Sequence, residues 1–220
     1  MKKAPTELEV FIHDIASPLT NIGISLENMK SHIYTNPRKL EKTIVATLDS
    51  LEYLHSISRI HNSYFFDNKD TKYSVEELIR KIVTNKFGFI IDQNKILLLY
   101  DVQEELTINY DKLLLNRVIT NIISNSIDAL LEKTPHKPKK IKISIKNLQN
   151  KLVITILDNG IGVDNNLIKE IFNYGYSEKD SHFGIGLPVT KDIIENRFGG
   201  VLKFQSLSGI GTLVKIILPI

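Results

Sequence analysis

The 220 residues, 42% of them hydrophobic, suffice for one large domain or two small ones around a real core, which excludes a disordered chain. The absence of cysteine excludes disulfides and thiolate metal sites, and a formal charge of +3 gives no electrostatic case for nucleic acid. No run approaches the roughly 18 apolar residues of a membrane span, and the start MKKAPTELEVF lacks the apolar stretch of a secretory signal, so the chain is expected to be cytoplasmic.

From Leu8 the apolar positions run Leu8, Ile12, Ile15, Leu19, Ile22, Leu26, Met29 and Ile33. The alternating steps of four and three make a heptad seam. Asn36 and Pro37 end that helix and open another, because proline has no N–H to continue a helix while its fixed φ suits a first turn. Leu40, Ile44, Leu48, Leu51, Leu54 and Ile57 carry a looser stripe to about residue 65. Two amphipathic helices joined by a short turn bury their apolar faces poorly alone. Residues 6–65 are therefore expected to form a homodimer as a four-helix bundle. With the seam starting so early, the chain is expected to hold no sensor domain.

The polar DNKDTK (67–72) reads as a linker, which divides the chain into domains 1–66 and 74–220 about a connector 67–73. Beyond it, the pattern predicts helix over 74–87, strands at 96–100 and 106–108, and a long helix over 111–132. IKISIKN (141–147) and KLVITILD (151–158) alternate with period two across a short LQN turn. The basic run 133–146 leads into that hairpin and reads as a solvated loop and strand edge. A helix near 187–198 follows, then VLKFQSL and TLVKIILP as a second hairpin around Ser208 and Gly209. Strands grouped around helices without regular β-α-β alternation predict an α+β fold, an α/β sandwich with helices on one face of a mixed sheet.

Three motifs in this half carry chemistry. Asn121 and Asn125, in NRVITNIISNSIDAL, lie four apart and so share one helix face. In ILDNGIG a strand ends at Asp158 and runs into Gly160 and Gly162. In FGIGLPVT, Gly184 and Gly186 stand immediately before a helix, where glycines bring backbone N–H groups up to phosphate. Taken singly, each reads equally as a surface or capping pair, a turn and a tight helix entry.

In this order and spacing the motifs resemble the Bergerat-type ATP-binding domain shared by histidine kinases, type II topoisomerases, Hsp90 chaperones and MutL proteins, over residues 74–220. The resemblance implies that Asn125 holds magnesium on the nucleotide phosphates and that Asp158 accepts a hydrogen bond from the adenine amino group. It implies that Gly160 and Gly162 allow the close turn beside it. IFNYGYSEK (171–179) is similar to the family's phenylalanine box before a flexible lid, with Phe172 as the aromatic and Lys179 as a phosphate contact. Gly184, Gly186 and Leu187 match the glycine box. Where the ATP-hydrolysing branches carry a glutamate that activates water, this chain has Asn121. An amide is no general base, so the site is expected to hold ATP for another nucleophile.

HDIASPL (13–19) resembles the phosphoacceptor box of histidine kinases, and this likeness extends over 6–65. His13 lies one residue beyond the seam position Ile12, which sets its ring on the bundle surface. A neutral imidazole attacks phosphorus through one nitrogen when its other N–H has an acceptor, and Asp14 is the acceptor at hand and the candidate general base. Pro18 denies an N–H to the carbonyl of Asp14, so the helix bends just beyond the reactive pair. Ser17 stands where kinases that also dephosphorylate their partner often have Thr or Asn, a weaker match for orienting water. His32, His55, His61, His136 and His182 lack such a box and read as structural or solvated.

The resemblance implies a sensor histidine kinase core. With magnesium and ATP it phosphorylates His13 and passes the phosphoryl group to an aspartate of a response regulator receiver domain. The rival readings are a phosphorelay protein with a degenerate ATP domain and an ATPase or serine kinase of the same superfamily.

Overall fold

The structure is a computed structural model that describes residues 72–103, 105–132, 138–173 and 186–220, with helical residues 15–16, 19–20, 22–27, 29–30, 43–44, 47, 51 and 54. The chain divides into two compact units, Met1–Lys69 with Ser177–Phe183, and Asp70–Tyr176 with Gly184–Ile220.

In the smaller unit the described residues are all helical. Ser25, Thr43 and Thr47 are buried, whereas the stripe residues Leu19, Leu26, Ile44 and Leu51 are 53%, 50%, 42% and 48% exposed. The Thr47 hydroxyl is satisfied by donating to the Thr43 carbonyl at 2.7 Å, as a buried hydroxyl must be. These four stripe residues are thus open to water in the single chain, while Ile15, Ile22, Met29 and Leu54 are half-buried.

The larger unit opens with β1 (Tyr73–Ser74) and α1 (Val75–Ile82). Ser74 caps α1 by accepting from the Glu77 N–H at 3.3 Å, which supplies one of the donors a helix start leaves over. A π-helical turn Val83–Phe87 and α2 (Gly88–Gln93) carry the helix six residues beyond the predicted end at 87. Gly88 costs a helix only about 1 kcal/mol relative to alanine, and Ile91, 5% exposed, anchors the extension. There follow β2 (Leu97–Val102), β3 (Thr107–Ile108), α3 (Lys112–Leu131), β4 (Lys140–Asn147) and β5 (Lys151–Asp158). The chain closes with α4 (Gly186–Asp192), a second π-helical turn Ile193–Arg197, β6 (Val201–Leu207) and β7 (Gly211–Pro219). α3 starts at Asp111, whose side chain accepts from the N–H groups of Leu113 and Leu114. The β4–β5 turn places Gln149 and Asn150 at φ 54° and 61°, the two left-handed residues of a tight hairpin.

The five-stranded sheet has order β2-β4-β5-β7-β6, with β2 parallel to β4 and the other pairs antiparallel. It is an α+β mixed sheet with its helices on one face, as the pattern predicts. The helix-facing side is built in rows. Tyr100, Ile143, Ile156, Val214 and Phe204 align in one, and Val102, Ile145, Ile154, Ile216 and Leu202 in the next. α3 packs on β5 and β7 and touches α1 and α4. Leu115, Val118, Ile119 and Ile123 on its inner face are fully buried, each worth about 1.5–3 kcal/mol of transfer free energy. On the opposite face Lys142 and Lys146 of the basic run each lie 3.3 Å from the Asp101 carboxylate.

Candidate nucleotide site

The third row of the sheet breaks the apolar pattern. It aligns Leu98, Ile141, Asp158, Thr212 and Ser206 at the end of the helix-facing side. Asp158 is only 4% exposed, and a carboxylate that deep requires donors. Three are in place. The Gly160 N–H donates to Oδ1 at 2.9 Å, the Thr212 N–H to the same oxygen at 3.2 Å, and the Ser126 hydroxyl to Oδ2 at 3.0 Å. Register supplies Thr212, the turn supplies Gly160, and the inner face of α3 supplies Ser126. The result is an oriented acceptor at the mouth of the sheet, suited to an exocyclic amino group.

The turn after Asp158 lies against α3. A Cβ on Gly160 would stand 2.7 Å from the Ala129 Cβ and 2.8 Å from its carbonyl carbon. The Ile161 N–H donates to the Ala129 carbonyl at 3.1 Å, one of the last four carbonyls that a helix cannot satisfy from within. Gly162 has φ +68°, and a Cβ there would meet the backbone of Leu207. From the other side the β6–β7 turn grips the same loop. The Gly209 N–H donates to the Ile161 carbonyl at 2.6 Å and the Val163 N–H to the Ser206 hydroxyl oxygen at 2.8 Å.

Along α3, Asn121 and Asn125 share a half-buried face. The Asn121 amide donates to the Thr190 hydroxyl of α4 at 2.9 Å. Gly186 is the first residue of α4, not a residue before it, and Leu187 beside it is half-buried. The Asn125 side chain makes no hydrogen bond to another described residue. Its amide oxygen is a hard donor suited to magnesium, which is commonly held through one or two protein oxygens plus substrate phosphates and water. Phe172, in the 3-10 turn Glu170–Phe172, meets Phe204 edge-to-face at 5.6 Å, with Lys191 Nζ 5.6 Å from its ring centroid.

α3 therefore joins Asp158, Gly160 and Gly162 at one point with Gly186 at another. Positions 121 and 126 are about 7.5 Å apart along its axis. Ser126, Thr212, Thr190 and Ser206 escaped the sequence reading. Ser126 alone left a trace, as a hydroxyl in the buried stripe between Ile122 and Leu130. His13, Asp14, Ser17, Pro18, Lys179 and Gly184 lie outside the described residues.

The family model for histidine kinase-, DNA gyrase B-, and HSP90-like ATPases matches residues 110–220. The chain belongs to this ATPase family. Membership makes it an ATP-binding protein, and Asp158, its glycine turn and the paired asparagines all fall within the matched span. Over 119 residues, 54% of its length, the chain is 34% identical to Sporulation kinase B of Bacillus subtilis (strain 168), of which it covers 27%. It thus spans well under half of that relative. The catalytic domain of histidine kinase ThkA matches 68% of the chain and 94% of its own length at TM-score 0.60 and 24% identity. Histidine kinase ThkA solved in complex with response regulator protein TrrA matches 94% of the chain and 59% of its own length at TM-score 0.57 and 24% identity. These likenesses describe the fold. No helix among the described residues is long and apolar enough to cross a membrane.

Proposed function

We propose that the chain is the catalytic core of a histidine kinase that phosphorylates itself on His13 and hands the phosphoryl group to an aspartate of a response regulator receiver domain. The observation that carries this reading is that one helix, α3, holds the buried Asp158 acceptor through Ser126 and carries an amide at position 121. The first suits adenine. The second offers no base for water, which leaves the γ-phosphoryl group for a protein nucleophile. In HDIASPL the chain provides one.

Asn125 would hold magnesium, which would supply charge neutralisation on the transferred group. The residues of the chain do the rest. Asp158 orients the base, Gly184, Gly186 and Leu187 close on the phosphates, and Lys179 contacts them. A nitrogen of the neutral His13 ring forms a bond to the γ-phosphorus as the bond to the ADP oxygen breaks. Asp14 accepts from the other ring N–H and so stabilises the imidazolium that develops. The receiver aspartate then displaces the histidine nitrogen. Phosphoryl transfer needs mainly positioning and electrostatics, which suits so sparse a set of groups. Ser17 is the residue at hand to orient water in a reverse, dephosphorylating reaction.

The working form is a cytoplasmic homodimer through residues 6–65. Support comes from four stripe residues, Leu19, Leu26, Ile44 and Leu51, left 42–53% exposed in the single chain. The solved relative named as a kinase in complex with a response regulator supports the partner.

Incubation with γ-labelled ATP and magnesium tests the reading. Acid-labile, alkali-stable label is expected on the wild type and absent from His13→Ala and Asn125→Ala. Label that survives in His13→Ala would move the phosphoacceptor elsewhere.

A further inference from the structure

The two asparagines of α3 share a face but not a situation. The Asn125 side chain makes no hydrogen bond to another described residue. The side chain of Asn121 is engaged twice. Its Nδ2 donates to the Thr190 hydroxyl at 2.9 Å, and Thr190 is 1% exposed. Its Oδ1 and Cγ fill the space where a Cβ on Gly186 would go, with Cγ 2.8 Å from that point. Residues 186 and 190 are four apart, hence on one face of α4. A single side chain of α3 thereby touches α4 at both ends of its first turn, once by a hydrogen bond and once by close packing.

α4 and the π-helical turn that continues it run over twelve described residues, Gly186–Arg197, a length that is still marginal without tertiary contacts. Its place against α3 depends on such contacts. The hydrogen bond to Thr190 sets its rotation, and the absence of a side chain at Gly186 sets how closely its first residue approaches.

We propose that Asn121 is a positioning residue for the nucleotide phosphates, not one of their ligands. Paired with Thr190 and packed on Gly186, it registers α4 and the glycine box that opens it. Asn125, one turn further along α3, is the ligand. This rests on the ATP reading given above and gives a task to Asn121, which the sequence marks only as an amide in place of a base.

Binding of ATP with magnesium to the full chain, followed by calorimetry, tests it, with urea unfolding measured in parallel. Thr190→Val removes the hydroxyl at constant shape and is expected to weaken ATP about five- to tenfold, the scale of one lost hydrogen bond. Thr190→Ser should stay within about twofold of wild type, because the acceptor is kept. In autophosphorylation Thr190→Val should raise KM for ATP and leave the rate at saturating ATP nearly unchanged. Gly186→Ala should weaken ATP by pressing a methyl group on the Asn121 side chain, and Asn121→Ala should weaken it by losing the donor to Thr190.

Thr190→Val with a lowered urea midpoint and wild-type ATP affinity would reduce the pair to a structural contact and overturn the proposal. If Thr190→Val does not fold, wild-type ATP affinity in a folded Asn121→Ala overturns it instead. Asp158→Ala separates the two levels. A wild type that binds no ATP, or binds it as well without Asp158, refutes the nucleotide reading and this inference with it. A wild type that binds while Asp158→Ala does not, with the Thr190 and Gly186 variants unaltered, refutes the inference alone.

Discussion

Tyr73 carries a buried phenol oxygen with no hydrogen-bond partner among the described residues. Burial, and after it the charge of Asp111, push its ionisation well above the ordinary tyrosine range. An unpaired buried hydroxyl costs about 1–3 kcal/mol, so Tyr73→Phe is expected to stabilise the chain by about 1 kcal/mol in urea unfolding at neutral pH. The sign with pH follows from the raised value. The folded state holds the phenol proton more tightly than the unfolded chain, so this contribution is complete below the usual tyrosine range and fades as pH rises through it. The gain from Tyr73→Phe should therefore widen in alkali. Asp158 shows the opposite outcome, with each carboxylate oxygen matched by a donor. The sequence marks Asp158 through its place before Asn-Gly, but Thr212 is 54 residues away and is brought to it by strand register alone.

Among the elements, the loop 159–163 is held between the end of α3 and the β6–β7 turn, and its glycines answer to different constraints. Gly160→Ala would press a methyl group on Ala129 of α3 and should cost about 1–3 kcal/mol. Gly162→Ala adds a left-handed φ of +68° to a clash with the Leu207 backbone, and both terms are unfavourable for a Cβ. It should be the worse of the two in urea unfolding, and both should weaken ATP because Asp158 turns with the loop. Equal stability of the two variants would refute this account. The hairpins and α3 were legible because period two and period 3.6 are local properties of the chain. The run from Gly88 to Gln93 and the inclusion of Gly186 in α4 were not, since a glycine reads as a break until a neighbour is seen to hold it in the helix.

For the molecule as a whole, the proposed dimer rests on the smaller unit. Its interior holds Ser25, Thr43 and Thr47 while Leu19 and Leu26 stay half exposed. Covering such a stripe with a second copy is the arrangement that removes it from water. Sedimentation equilibrium should return twice the 25.1 kDa chain mass. Leu19→Glu with Leu26→Glu should return a single chain mass, with ATP affinity of the larger unit unchanged. A wild type that sediments at 25.1 kDa would refute the dimer.

The periodic features could be read along the chain: the two hairpins, the long helix with its paired asparagines, and the Asp-Asn-Gly turn. Each depends on residues a few positions apart, whose geometry the backbone dictates. Which side chains from distant segments meet follows from register and packing, which no local stretch encodes. Strand register brings Thr212 to Asp158, the helix–sheet packing brings Ser126 to the same carboxylate, and the docking of α4 on α3 engages Asn121 with Thr190 while leaving Asn125 without a described partner. Nothing local in the chain distinguishes those two asparagines, because what separates them is the neighbour that folding supplies.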